Sequence, residues 1–360
     1  MNLLITHREL DTAGYDMAHR LASEYGMNVF VTYHTLAQQQ RIVRPVEALW
    51  IPEIRRKVEW GVIRCLRTHV QRHAIDVVFS PGSSGLSNAL MATLGTRARN
   101  VGYRGTQARI RRTDPTYYLG VLNPRVRHIV CETDDIQTYL SHFVPARKLS
   151  VCLKPFDVKW VADACRQPMR LENLPADAIT CVYIGSCKGR PFKGLSLLVR
   201  AFHMLTDERL HLIFVGDYDE SDAALANQGP AAKRIHFVGY RPDAIAWLPA
   251  ADVFVLPSLR DASPRVVREA MACGLPCVVS DIPGARDLLE KGRTGLLFRS
   301  GDAADLADKL MLLANDADLR TAMGRAGRER IERHFNVQTY AAMFNELFVS
   351  LVSGGKGSRQ

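Results

Sequence analysis

Two acids at fixed spacing, Asp261 and Glu269, and two cations, Arg190 and Lys193, are the side chains whose neighbours best suit them to chemistry. Asp261 falls in a polar loop, Ser258 to Ser263, directly after the apolar run Val253 to Leu256. Glu269 falls two turns into the helix that follows, with Ser263 a candidate N-cap and Pro264 suited to the first turn. A carboxylate just ahead of a helix N-terminus can accept sugar hydroxyls, and free N–H groups beside it can hold phosphate oxygens. Arg190 and Lys193 sit in Gly185-Ser-Cys-Lys-Gly-Arg-Pro-Phe-Lys-Gly194, between a predicted strand and a predicted helix. A glycine- and lysine-bearing loop in that place has the outline of a phosphate cradle, although no Gly-x4-Gly-Lys-Ser/Thr occurs.

The elements that must position these groups read as alternating strands and helices. Val253 to Leu256 is short and apolar, as a parallel strand buried on both faces should be. Helical spacing then turns Val266, Val267, Ala270 and Met271 towards a sheet, and Gly274 with Pro276 ends the helix. Cys277 to Ser280 is the next strand, so the acids stand at the carboxyl end of a βαβ unit. Upstream lie predicted strands Thr180 to Ile184 and Leu210 to Val215, separated by a helix from Leu195 to Leu205; a further helix spans Ala244 to Leu248. In the first half, strands Asn2 to Thr6, Met27 to Tyr33, Asp76 to Ser80 and Arg127 to Cys131 alternate with helices. Those helices are predicted up to about Tyr25 and over Glu53 to His73, Tyr117 to Leu122 and Asp134 to Phe143, with Gly14 in a loop after the first strand. Residues 158–178, carrying Pro168 and Pro175, read as a linker, and Gly354 to Gln360 as a disordered tail.

Charge is unevenly placed. Residues 1–170 hold 24 Lys and Arg against 14 Asp and Glu, and thus the whole formal excess of +10. Two stretches concentrate it: the predicted amphipathic helix at 53–73, with Trp60 and an apolar stripe, and the run Arg97 to Arg112, which has six arginines and no acid. The first could lie on an anionic membrane. The second, including Arg104, Arg109, Arg111 and Arg112, fits a phosphorylated acceptor, because guanidinium forks suit phosphate. Nucleic acid is disfavoured, since no helix-turn-helix or RNP signature accompanies the arginines. No apolar run approaches a membrane span and no signal peptide is evident. Eight scattered Cys without a C-x2-C pair suit a reducing cytoplasm and argue against zinc.

Asp261-Ala-Ser-Pro264 through Glu269 resembles the E-x7-E motif of retaining, nucleotide-sugar-dependent GT-B glycosyltransferases of glycosyltransferase family 4, with Asp in place of the first Glu. The 185–194 loop is similar to that family's G-R-L…K-G loop, with Lys193 on its lysine. Ser186 replaces the usual early Arg, which leaves Arg190 as the second cation. Ile235 to Arg241 resembles the segment that meets the nucleobase, Tyr240 or Arg241 lying beside the base. Val151 to Asp157 keeps the Asp of an Asn-Gly-x-Asp turn without its Asn-Gly. Tyr103-Arg104 stands where many members carry a His that meets the donor sugar.

The resemblance implies an α/β GT-B protein, two Rossmann-like doubly wound domains facing across a cleft. Residues 1–165 would bind the acceptor, with helix 337–352 packing back on them, and residues 175–335 would bind the donor. The implied reaction moves a sugar from a nucleotide diphosphate-sugar to a hydroxyl of a glycolipid or polysaccharide, with retention, in bacterial lipopolysaccharide or cell-surface polysaccharide synthesis. Lys193 and Arg190 would neutralise the departing diphosphate. Asp261 would hold sugar hydroxyls and Glu269 the ribose hydroxyls, with Gly185, Ser263, Tyr240, Arg241 and the N–H groups of Gly284 and Ala285 completing the donor site. No metal and no cofactor beyond the donor are implied, and the expected location is the cytoplasm, peripheral to the inner face of the plasma membrane. Two alternatives remain open, a nucleotide-sugar 2-epimerase of the same fold and a non-catalytic nucleotide-sugar-binding protein. A dehydrogenase is disfavoured because no Gly-x-Gly-x-x-Gly follows a strand.

Overall fold

The computed structural model describes residues 1–8, 10–106, 109–261 and 263–354. The chain divides into two compact units, Met1–Pro155 joined by the segment from Val337, and Phe156–Asn336.

In the first unit, Val-, Ile- and Leu-rich runs form seven parallel strands: β1 (Asn2–Ile5), β2 (Asn28–Tyr33), β3 (Glu47–Trp50), β4 (Val77–Ser80), β5 (Arg99–Arg104), β6 (Val126–Cys131) and β7 (Leu149–Val151). Their order is β3-β2-β1-β4-β5-β6-β7, which reverses between β1 and β4. Helices α1 (Thr12–Ser23), α2 (Leu36–Gln40), α3 (Trp60–Arg72), α4 (Ser83–Ala92) and α5 (Asp134–Ser141) complete it before the chain leaves. Asp11 caps α1 by accepting the Gly14 N–H at 2.9 Å. Gly14 is therefore in the first helical turn, not the loop, and a Cβ there would meet Leu10 Cδ1 at 2.5 Å.

Three expectations change here. The helix anticipated from Glu53 begins only at Trp60. Glu59 accepts the backbone N–H groups of Arg55 and Arg56, and buried Asn88 takes the Glu59 N–H at 2.9 Å and gives a hydrogen bond to the Arg56 carbonyl. These bonds fold residues 53–59 into a turn, so Ile54 is buried without being helical. Tyr117 to Leu122 forms a 3-10 turn over Pro115–Tyr117 and further turns, because Asp114 caps the Thr116 N–H. The predicted linker is partly helical, with a 3-10 turn at Val158–Val161 and α6 (Ala162–Arg166) inside the second unit, so the first unit closes at Pro155 rather than at residue 165.

The second unit has six parallel strands, β8 (Ile179–Ile184), β9 (Leu210–Val215), β10 (Ile235–Gly239), β11 (Val253–Leu256), β12 (Cys277–Ser280) and β13 (Gly295–Phe298), in the order β10-β9-β8-β11-β12-β13. Helices α7 (Leu195–Met204), α8 (Glu220–Asn227), α9 (Arg265–Ala272), α10 (Ala303–Asn315) and α11 (Ala317–His334) accompany them. Ala244–Trp247 is a 3-10 turn rather than an α-helix. The strand order reverses between β8 and β11, and ligands of open parallel sheets bind outside the carboxyl ends of the strands at such a reversal. The chain then returns to the first unit as α12 (Val337–Ser353), whose Phe344 and Phe348 are fully buried among Leu3, Ile5, Val31 and Phe79. Beyond Gly354 the expected tail lies outside the described residues.

Candidate functional site

The loops after β8 and β11 meet at the reversal of the second sheet. Gly194 makes this possible: its φ of +78° is left-handed, and a Cβ would stand 2.0 Å from the Pro257 carbonyl oxygen. Gly216, after β9, is packed as closely on the Gly185 carbonyl, 1.9 Å from a would-be Cβ. The Leu259 N–H donates to the Phe192 carbonyl at 2.8 Å, and Arg260 stacks on the Phe192 ring at 4.8 Å. Beneath the loop, the fully buried Tyr183 hydroxyl donates to the Lys193 carbonyl at 3.0 Å. Burial pushes that phenol well above its usual range, which keeps it a donor.

Across this junction Lys193 Nζ pairs with Asp261 Oδ2 at 2.7 Å, both side chains mostly buried. Two residues 68 positions apart, proposed separately from sequence, thus share one ion pair. Glu269 is 7% exposed on α9 and bonded to Arg265 at 2.8 Å. Burial pushes its carboxyl upward, opposed by Arg265 and Arg268. Ser263 is not the N-cap: Pro264 takes that position without a side-chain cap, and the buried Ser263 Oγ has no hydrogen-bond partner among the described residues. Helix nucleation there falls to proline's fixed φ. Ala262, within the motif, lies outside the described residues.

The remaining candidates sit around the same carboxyl edge at differing reach. Arg190 is exposed and forms no ion pair among the described residues. Gly284 has a left-handed φ of +81°, and the Ala285 N–H is already given to the Ile282 carbonyl at 3.3 Å. Tyr240 and Arg241, both exposed, follow the edge strand β10, two strands from β8. Among the described residues no three His, Cys, Asp or Glu gather as metal ligands.

The arginine run of the first unit does not converge. Arg104, at the end of β5, lines a cavity of about 240 Å³ with Lys57, Ser87, Thr116, Tyr117 and Val121. Burial lowers its guanidinium pKa. Arg112 instead donates to the His142 carbonyl at 2.7 Å and lies over Phe143. Arg109 and Arg111 are exposed and do not line the cavity. Strand β5 carries Arg99 and Arg104, and Arg109 and Arg111 follow in irregular chain; Gln107 and Ala108 within the run lie outside the described residues. Sequence reading missed Lys57 as a site residue, because it looked like one more cation on a helix face.

Residues 178–316 match the family described as Glycosyl transferases group 1. An N,N'-diacetylbacillosaminyl-diphospho-undecaprenol alpha-1,3-N-acetylgalactosaminyltransferase of Campylobacter jejuni is 30% identical over 158 residues, 43% of this chain and 42% of that enzyme. The match thus spans less than half the length of that relative. Among solved structures, a glycosyltransferase from Rickettsia africae superposes with a TM-score of 0.80 at 16% identity, covering 98% of each chain. HepE of Anabaena, in complex with UDP, does so at 0.77 and 18% identity, covering 97% of this chain and 100% of that one. At those identities the likeness is one of fold, and the fold is GT-B.

Proposed function

We propose that this chain, whose residues 178–316 are a glycosyl transferases group 1 domain, moves a sugar from a nucleotide diphosphate-sugar to a hydroxyl of a glycolipid or glycan acceptor with retention. The observation that carries the reading is the Lys193–Asp261 pair at 2.7 Å, set at the strand-order reversal of the second sheet. Lys193 unpaired would leave a half-buried charge without a partner, which is costly. Asp261 holds it until a diphosphate takes its place. The exchange does two things at once: it gives the leaving group a cation where negative charge develops, and it frees the Asp261 carboxylate for sugar hydroxyls. Glu269 accepts ribose hydroxyls after a similar exchange with Arg265, and Arg190 closes on the diphosphate from solvent.

The Campylobacter relative's named acceptor is a diphospho-undecaprenol glycolipid, which supports a bacterial cell-surface role for this chain. HepE's complex with UDP supports a nucleotide donor. No helix among the described residues is long and apolar enough to cross a membrane. Peripheral attachment is supported by Trp60, 66% exposed and flanked by exposed Arg56 and Arg64. Attraction of that kind should weaken as salt rises. Incubation with a panel of nucleotide diphosphate-sugars, followed by NMR of the anomeric configuration of the product, tests the reading. Transfer with retention, lowered by roughly 10²-fold or more in Asp261→Ala, is expected; inversion, or no donor turnover with any sugar, would overturn it.

A further inference from the structure

We propose that Cys165 and Cys273 are a redox modification site, a dithiol that low-molecular-weight disulfides such as oxidised glutathione close into a clasp between α6 and the end of α9. Among the described residues, theirs are the only two cysteine sulfurs in contact: the Cys165 S–H donates to Cys273 Sγ at 3.8 Å. The two lie 108 positions apart, so only the fold brings them together. Five of the other six cysteines are buried, and Cys65 gives its thiol hydrogen to the Trp50 carbonyl at 3.4 Å. No third His, Cys, Asp or Glu gathers with the pair among the described residues, so a bond between the sulfurs suits it better than a metal ion does.

The two thiols differ in a way that assigns their roles. Cys165 is exposed on α6, a helix of five residues with no side-chain cap. Cys273 is half-buried at the C-cap of α9, on a backbone held from three sides. Its N–H donates to the Glu269 carbonyl at 3.0 Å, and Arg328 donates to the Ala272 carbonyl at 3.1 Å. Gly324 packs so closely on the Gly274 carbonyl that a Cβ would stand 1.9 Å from its oxygen. Disulfide sulfurs stand about 2.05 Å apart, so closure needs a shift of about 1.7 Å, within reach of side-chain rotation at Cys165. Burial pushes the Cys273 thiol up, which keeps it protonated and leaves the first attack to Cys165. The Cys165 thiolate attacks one sulfur of the small disulfide, forming a mixed disulfide and expelling one thiolate. Cys273 then attacks the Cys165 sulfur and expels the other. The protein gives up two electrons and two protons, and the reagent takes both to become two thiols. The new bond closes a loop of chain that contains Lys193 and Asp261, and it constrains the unfolded state across that loop.

Incubation of the full chain in glutathione buffers of rising oxidised-to-reduced ratio, followed by thiol counting and peptide mapping, tests this. The parent should lose two of its eight thiols before any others, in a cross-linked peptide pair joining Cys165 to Cys273, and dithiothreitol should restore them. Cys273→Ser should stop with glutathione on Cys165. Cys165→Ser removes an exposed thiol without disturbing packing, and should keep all its thiols at the ratio that closes the parent. Closed parent should unfold at a higher urea concentration than reduced parent, a rise absent from Cys165→Ser. A parent that keeps every thiol in oxidised glutathione, that holds glutathione on Cys165 without closing, that cross-links another pair first, or that closes without gaining urea resistance would overturn the proposal. These readouts use neither donor nor acceptor. Failure of the transferase reading shows up elsewhere, as absent UDP binding and absent donor turnover in the parent protein.

Discussion

The carboxyl edges of the two sheets are built by different means. In the second unit the backbone does most of the positioning: Gly194 and Gly216 let loops touch, and the Lys193–Asp261 pair is already closed. In the first unit the cavity is assembled from side chains on a turn, a strand end, a helix and a 3-10 turn, and its cation Lys57 rests on neutral oxygens. A site with its charges paired can wait for a ligand without strain and exchanges one anion for another. A cation held by neutral oxygens, as Lys57 is by Thr116, leaves room for a ligand's charge. The residues of the first kind are marked by local punctuation in the sequence, although their meeting, like the second kind, is set by tertiary packing.

The largest test of this contrast is alanine at the glycines. Gly194→Ala and Gly216→Ala each put a Cβ within about 2 Å of a carbonyl oxygen and impose a left-handed or strained backbone. We expect each to destabilise the second unit by more than about 3 kcal/mol and to abolish transfer. Gly61→Ala in α3 meets nothing within 4 Å and should be neutral or stabilise by up to about 1 kcal/mol. Urea melts decide it; a Gly194→Ala protein as stable as the parent would break the claim that backbone contact builds this edge.

Next in size is the ion pair. Lys193→Ala should lower transfer by roughly 10²-fold or more, on the scale of losing one donor to a developing charge. Asp261→Ala should lower transfer comparably yet leave UDP affinity equal or higher, because Lys193 then has no internal anion to release. Parallel loss of UDP affinity in both variants would make the pair a structural clasp instead.

Both units carry the doubly wound sheets expected from alternating apolar runs and helical periods, and most strands of the second unit lie within a residue of their predicted bounds. Asp261, Glu269 and Lys193 were visible because each is punctuated locally, by a strand end, a proline or a glycine. That Lys193 touches Asp261 was not visible, because spacing along the chain says nothing about which loops a strand-order reversal brings together. The first unit was read less well for the same reason. Arg104, Arg109, Arg111 and Arg112 look like one patch in sequence, but only Arg104 lines the cavity and Arg112 bonds the His142 carbonyl, while Lys57 joins Arg104 only through the fold. The Glu53 to Trp60 stretch misled for a second reason: its apolar period was helical, yet side-chain bonds from Glu59 and Asn88 outweighed the weak helical preference.

His7 provides a smaller contrast, in acid. It is 1% exposed after β1, neither ring nitrogen has a partner among the described residues, and burial, with His34 nearby, pushes its imidazole down to about 4 from 6.5. Between those values the unfolded chain holds a proton that the folded one does not. Stability from neutral His7 is therefore full above pH 6.5 and lost as pH falls towards 4, up to roughly 3 kcal/mol. Far-UV melts from pH 7 to 4 should show the first unit weakening over that window, with a shallower slope in His7→Gln. An identical slope would place the acid sensitivity elsewhere.

Glu269 has the opposite sign and the smallest effect. Burial raises its carboxyl above 4.5, with Arg265 and Arg268 pulling back, so the folded chain is the one that holds the extra proton. The stability this group adds is present below pH 4.5 and lost as pH rises through its folded value. Glu269→Gln cannot ionise and escapes that loss, but gives up the 2.8 Å bond to Arg265 in its charged form. Relative to the parent, the Gln variant should therefore gain in Tm as pH rises from 4.5 to 7. Its transfer activity should still fall, since an amide accepts ribose hydroxyls less strongly than a carboxylate does. A Tm difference that stays flat, or moves against the variant with rising pH, would mean that Arg265 more than offsets burial. The site in the second unit would then hold two closed ion pairs in full, and a donor would have to displace both.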